Sequence, residues 1–151
     1  MSAQIETRTA PAIADTPARW ITAGRVTSGI AVLFLAFDAS FKLVAPAAAV
    51  AATPELGWAE GQLPYLGLLE LALLVVYLVP RTSVLGALLF TGYLGGAVAT
   101  HARVGSPLFS HLLFPVYVAA ILWAGLWLRD ASVRALLPLR VWMQPGAQAS
   151  A

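Results

Sequence analysis

The sequence predicts an all-α fold: a four-helix transmembrane bundle with short interfacial helices after the first and fourth spans. Composition is the first reason. The chain is 60% apolar and 11% charged, with a mean hydropathy of +0.80, whereas soluble domains are about 45–50% apolar and about 25% charged. At 151 residues it has too much surface for its volume to hide that much apolar side chain from water. The second reason is the grouping of the apolar residues into four blocks, at about 24–45, 63–79, 84–100 and 112–128. The third is punctuation, since proline, glycine and charge separate the blocks. Inside lipid a backbone must satisfy its own hydrogen bonds, so blocks of this kind are expected to be helices.

Taken in order, residues 1–20 are rich in alanine and threonine, hold Pro11 and Pro17, and read as a flexible tail. A cleaved signal peptide is disfavoured, because the first apolar run is long and Asp38 and Lys42 interrupt its end. Residues 21–130 form the transmembrane domain. Span one stops near Pro46, and the Ala47–Ala52 run is too short to cross, so a surface helix is expected there. The loop from Thr53 to Gln62 carries Pro54, Gly57 and Gly61. Span two ends at Pro80. The tight turn Arg81-Thr82-Ser83 makes spans two and three antiparallel neighbours, and a Thr82 or Ser83 hydroxyl is expected to cap span three. Gly105 and Pro107 mark the next loop, and Pro115 is expected to bend span four. The last three spans, at about 17 residues and a 1.5 Å rise, give roughly 26 Å of helix, the short end for a hydrocarbon core of about 30 Å. Residues 131–151 read as an interfacial segment around Pro138, then a tail.

Basic residues beside the spans predict orientation. With four spans both termini share a side. Arg8, Arg19, Arg25, Arg81, Arg129, Arg134 and Arg140 fall on it, against Lys42 and Arg103 on the other. Both termini are therefore expected in the cytoplasm. Trp20, Trp123, Trp127 and Trp142 would mark the inner interface and Trp58 the outer one.

Gly92, Gly95 and Gly96 form a small-residue stripe on span three. Helices in lipid associate through close backbone contact, so the stripe is expected to pack helices and to place span three at the bundle centre. The ionisable residues are more informative. Asp38 and Lys42 are four apart and share a helix face. Glu70 lies two turns into span two, and Tyr93 sits two turns inside the His101–Arg103 end of span three. His111 opens span four. All map to the outer third of the membrane, and Asp38, Glu70, Lys42 and Arg103 cancel in formal charge. A lone charge costs roughly 2.5–3.5 kcal/mol at a helix centre, so the four are expected to turn inward as one polar knot.

Two readings of that knot stay open. One is an ion-pair network that sets helix register. The other is a small pocket in which Asp38, Glu70 and His101 bind a ligand or move protons, and a quinone headgroup would suit it. His101 and His111 show no third ligand by spacing, so no metal site is expected. The chain has no cysteine, which excludes disulfides, thiol redox chemistry and cysteine-held metal clusters. A net charge of +2 without a basic cluster excludes a nucleic-acid interface. No Walker loop, Ser-His-Asp set or HExxH helix is present.

The run Thr91-Gly92-Tyr93-Leu94-Gly95-Gly96-Ala97-Val98-Ala99-Thr100-His101-x-Arg103-Val104-Gly105, followed by Pro107, His111 and Pro115, resembles the DoxX-like family of bacterial four-helix integral membrane proteins. So do Gly24-Arg25, Asp38-x-x-x-Lys42-Leu43 and Pro80-Arg81-Thr82. The resemblance extends over about Gly24 to Arg140. It implies a multi-pass component of a bacterial cytoplasmic (inner) membrane, tied to redox or oxidative-stress physiology. Asp38, Lys42, Glu70, His101, Arg103 and His111 are the positions that match its motif. The expected function is an accessory or quinone-facing component of a membrane redox system, with the lipid bilayer and a membrane or peripheral redox protein as partners. The alternative is a non-enzymatic anchor or assembly factor. A transporter would have to form a homo-oligomer, since four spans are few. Whether the protein is an enzyme is left open by its residues.

Overall fold

The computed structural model describes residues 16–59 and 61–137, and all its regular elements are helical. They are α1 (Ala18–Val44), α2 (Ala47–Ala52), α3 (Leu63–Leu78), α4 (Ser83–Arg103), α5 (Phe114–Arg129) and α6 (Ala131–Leu136). A 3-10 turn at Pro54–Leu56 follows α2, and a π turn at Leu108–Leu112 precedes α5. The first and last predicted tails fall mostly outside the described residues. Where they meet, α1 starts at Ala18 rather than after residue 20, because Pro17 supplies a pre-set φ of −56° as its N-cap.

Three helical segments are long and apolar enough to cross a membrane: Ala18–Val44, Ser83–Arg103 and Leu108–Arg129. Helix α3 is equally apolar but has 16 residues. The outward faces are lipid-like, with Leu33 at 74% and Phe37 at 71% exposure. An apolar exterior of this extent is what a bilayer solvent requires.

The helices close into a ring in which α1 packs on α5 and α3, and α4 packs on α3 and α5. The core lies inside the ring and includes Leu35, Leu74, Tyr77, Phe90, Leu122 and Leu126. Buried Tyr77 satisfies its hydroxyl against Ser28 Oγ (3.0 Å) and the Leu122 carbonyl (3.2 Å), tying α3 to α1 and α5. Such a bond is needed because an unpaired hydroxyl in apolar surroundings is costly.

Glycine permits the closest approaches, but not the expected glycines. A Cβ at Gly67 would lie 2.8 Å from the Ala39 carbonyl, and one at Gly24 would lie 2.8 Å from the Gly125 carbonyl. Gly86 faces the Tyr77 backbone, and Gly125 faces Ser28. By contrast, Gly92, Gly95 and Gly96 are exposed and have nothing within 4 Å of a built Cβ. The small-residue stripe of α4 therefore does not pack helices in this chain. The contacts are made by single glycines spread over four helices, at the points where the axes cross.

The links also differ in detail from expectation. Neither Thr82 nor Ser83 caps α4. Thr82 Oγ1 donates to the Val76 carbonyl (2.8 Å) and Ser83 Oγ to the Pro80 carbonyl (3.2 Å). The Thr82 hydroxyl thus satisfies an open C-terminal carbonyl of α3, the other half of the same end problem, while Ser83 closes the turn that follows the helix. Pro115 falls in the first turn of α5. The chain enters it through the π turn, where Leu112 N–H bonds Pro107 (3.2 Å) and Leu113 N–H bonds Leu108 (2.9 Å). Trp123 does not sit as a free interfacial anchor, since its indole N–H donates to Thr91 Oγ1 on α4 (2.9 Å). Trp127 does stack near Trp20, with ring centroids 5.7 Å apart, while Trp142 lies outside the described residues. Asp130 caps α6 by accepting from Ser132 N–H (2.8 Å).

Candidate functional site

The polar cluster is assembled by helix periodicity and one close helix crossing. Asp38 and Lys42 stand one turn apart on the last turns of α1, and the Lys42 ammonium is bonded to the Asp38 carboxylate. Gly67 lets α3 approach α1 directly beneath Lys42, where a Cβ would lie 2.9 Å from Lys42 Cβ. Glu70 is three residues further along α3, on the same face. It therefore meets the ammonium, with Lys42 Nζ donating to Glu70 Oε2 at 2.7 Å.

Tyr93 on α4 closes the cluster. Its hydroxyl donates to Glu70 Oε2 (3.0 Å) and accepts from Lys42 Nζ (3.3 Å), and the ammonium stands 5.6 Å from the ring centroid. Three helices are thus joined through one carboxylate oxygen. Glu70 is 0% exposed, and among the described residues its other oxygen, Oε1, has no hydrogen-bond partner. The buried end of the cluster is consequently under-satisfied, which costs free energy in any low-dielectric setting.

The cluster differs from the expected knot in its charge. Arg103 does not join it. Its Nη2 donates to the Leu56 carbonyl (2.7 Å), and its guanidinium occupies the space beside Gly57. Two carboxyl groups and one ammonium remain, so the four charges do not cancel in one place. The reason is reach. Arg103 ends α4 at the level of the loop, where an open carbonyl at the 3-10 turn lies closer than the carboxylates deeper in the ring. Gly57 adopts φ +76°, a conformation that glycine reaches without strain, and it leaves room for the guanidinium.

The two histidines stand together at the α4–α5 connection, with ring centroids 5.8 Å apart. His101 Nδ1 pairs with Ser106 Oγ (3.0 Å) and His111 Nδ1 with Ser110 Oγ (2.8 Å). They are the natural metal donors of this end, but among the described residues no group of three or more His, Cys, Asp or Glu side chains converges.

A cavity of about 460 Å³ connects these features. Asp38, Lys42, Tyr93 and His101 contribute to its wall, together with Gly92 and Gly96, while Phe34, Leu69, Phe114 and Val118 make most of it apolar. Glu70 stands behind Lys42 and Tyr93 rather than on the wall, and His111 and Gly95 also lie off it. Thr53, Leu56 and Trp58 form part of the lining, so the loop after α2 roofs the cavity and Arg103 ties that roof to α4. Sequence reasoning did not find this roof. Trp58 read as a membrane-surface anchor, and a loop carries no periodicity from which its packing partner could be read. The glycines acquire a different purpose here. The absence of side chains at Gly92 and Gly96 is what leaves the space open.

Fold and site together define a helical membrane protein with a polar cluster and an adjoining cavity at one end of its helix ring. The chain matches the DoxX-like family over residues 26–125 and belongs to that family. The matched segment contains every member of the polar cluster and every residue of the cavity wall. Comparison with curated proteins and with solved structures returned no match.

Proposed function

We propose that the chain crosses the membrane four times with both termini in the cytoplasm, and that its outer cavity receives a flat, carbonyl-bearing ligand of the quinone class. On this reading it is a quinone-facing component of a membrane redox or oxidative-stress system, in a bacterial inner membrane. The observation that carries the ligand is the cavity itself. It pairs a largely apolar wall with Lys42, Tyr93, Asp38 and His101 as its polar groups, the usual make-up of a small-molecule site. A fourth crossing by α3 is supported by its place between α1 and α4 in the ring and by its length, since 16 residues give roughly 24 Å.

The residues present fit such a ligand. An ammonium has three N–H donors, and those of Lys42 go to Asp38, Glu70 and Tyr93. The bond to Tyr93 is the longest of the three, at 3.3 Å, and is the one a carbonyl oxygen would take over. His101 keeps Nε2 for a ligand while Ser106 holds Nδ1. An imidazole also suits proton transfer near neutral pH. The loop that carries Trp58 adds an indole to the apolar part of the wall. A bound quinone would supply two-electron, two-proton chemistry. The chain carries no cysteine of its own, so the electrons would come through a partner.

Purification in mild detergent followed by mass spectrometry of the lipid extract tests the ligand. A quinone is expected to co-purify, and Tyr93→Phe with His101→Ala is expected to reduce its retention several-fold. A protein that carries no quinone and binds none when a short-chain quinone is added would reject the reading. Topology has an independent test, made simple by the absence of native cysteine. Glu55→Cys is expected to react with an impermeant thiol reagent from outside the cell, and Thr82→Cys to remain protected. The opposite labelling would invert the orientation.

A further inference from the structure

A second cavity, of about 490 Å³, opens at the end of the ring opposite Lys42. Its wall includes Arg25 of α1, Ser83 of α4, Arg129 at the end of α5, and Asp130, with Leu78 and Pro80 from the end of α3. Four helices therefore converge on it. Its chemistry is unlike that of the first cavity, whose wall sets one carboxylate, Asp38, against one ammonium, Lys42.

Arg25 and Arg129 are the cationic groups of this wall. Among the described residues neither guanidinium has a carboxylate within ion-pair distance, the ion pairs there being those of Lys42. Arg129 is positioned rather than free to wander. Its stem lies against Gly24 and its guanidinium stands 5.4 Å from the centroid of the buried Tyr77 ring, a cation–π contact. Asp130 offsets one positive charge, but its Oδ1 is committed to the Ser132 N–H (2.8 Å). Among the described residues the cavity wall thus carries two arginines against one partly engaged carboxylate, an excess of one positive charge.

Planar guanidinium forks match phosphate oxygens better than any other side chain does. The cavity lies where α3 and α5 end and α4 begins, which for membrane helices is headgroup depth. Leu78 on its wall and the adjoining Val79 expose apolar surface beside it, at 56% and 44%. A phosphate held by the arginines would therefore have acyl-compatible surface next to it. Basic pockets between helix ends are a known way to hold lipid headgroups.

We propose that this cavity binds the phosphate of a membrane phospholipid headgroup, with Arg25 and Arg129 as its ligands. Arg25, Arg129 and Asp130 lie just outside the segment matched by the family, residues 26–125, whereas Leu78, Pro80 and Ser83 of the same wall lie inside it.

Native mass spectrometry of the full chain, released from mild detergent, tests it. The wild type is expected to retain one phospholipid. Arg25→Gln, on an exposed side chain that the core does not need, is expected to lower that retention about five-fold, the factor one basic residue supplies at a charged lipid surface. Arg81→Gln is the control, because Arg81 is exposed at the same end but does not line the cavity; it is expected to leave retention unchanged. Thermal unfolding separates the two sources of phosphate. Added phosphatidylglycerol is expected to raise the wild-type midpoint and inorganic phosphate to leave it unmoved. Equal retention by Arg25→Gln and wild type, an equal loss with Arg81→Gln, or an equal stabilisation by inorganic phosphate would each overturn the assignment.

Discussion

Replacing Lys42 by methionine is expected to destabilise the protein by about 3–5 kcal/mol, the usual cost of stranding one partner of a buried ion pair. The magnitude follows from where the two ends of the pair lie. Glu70 is fully buried and already has one oxygen without a partner. Removing the ammonium leaves only the Tyr93 hydroxyl on the other oxygen. Asp38 cannot help, since it is a second carboxyl group. Glu70→Leu is expected to cost far less, because Lys42 keeps Asp38 as a partner. The double variant Lys42→Met/Glu70→Leu should recover most of what the single Lys42 change loses, since an apolar pair needs no compensation. Unfolding of the four proteins in mixed micelles, as a double-mutant cycle, measures this. A Lys42→Met protein as stable as the wild type would show that the pair does not hold Glu70 in place.

The second large effect contrasts two glycines on one helix. Gly86→Ala is expected to cost about 3 kcal/mol, the upper end of the range for overpacking, because a Cβ there meets the backbone of Tyr77 rather than a side chain able to turn aside. Gly96→Leu is expected to leave stability intact or raise it. Nothing lies within 4 Å of a Cβ at Gly96, and leucine is a better helix former than glycine by several tenths of a kcal/mol. The same change puts a leucine on the wall of the outer cavity, so it should abolish retention of any ligand held there while the protein stays folded. Thermal unfolding together with mass spectrometry of the extract reads both effects. A Gly96→Leu protein that unfolds like Gly86→Ala would mean that α4 packs through its glycine stripe after all.

That contrast also marks how far the sequence could be read. Gly92, Gly95 and Gly96 look like a packing motif because spacing is all that a sequence offers, and a stripe of small residues is compatible with either contact or empty space. Gly67 and Gly86 are isolated and carry no pattern, yet they make the close crossings. The pairing of Asp38 with Lys42 was legible, since both stand on one helix a turn apart. The role of Glu70 as the oxygen shared by Lys42 and Tyr93 needed the helix neighbours. Depth and charge balance both point Arg103 to the cluster, and neither shows that it bonds the Leu56 carbonyl instead.

Sequence alone determined the helical, lipid-facing character of the chain, the order of its elements and its family, because composition, apolar blocks and proline punctuation act locally and survive any arrangement of the helices. Tertiary structure alone decided which glycines touch, that the loop at Trp58 roofs a cavity, and that two arginines from opposite parts of the chain, Arg25 and Arg129, share one. Those features depend on helix rotation and crossing points. In lipid these are set by side-chain packing and a few polar contacts among helices distant in sequence, and no local pattern encodes them.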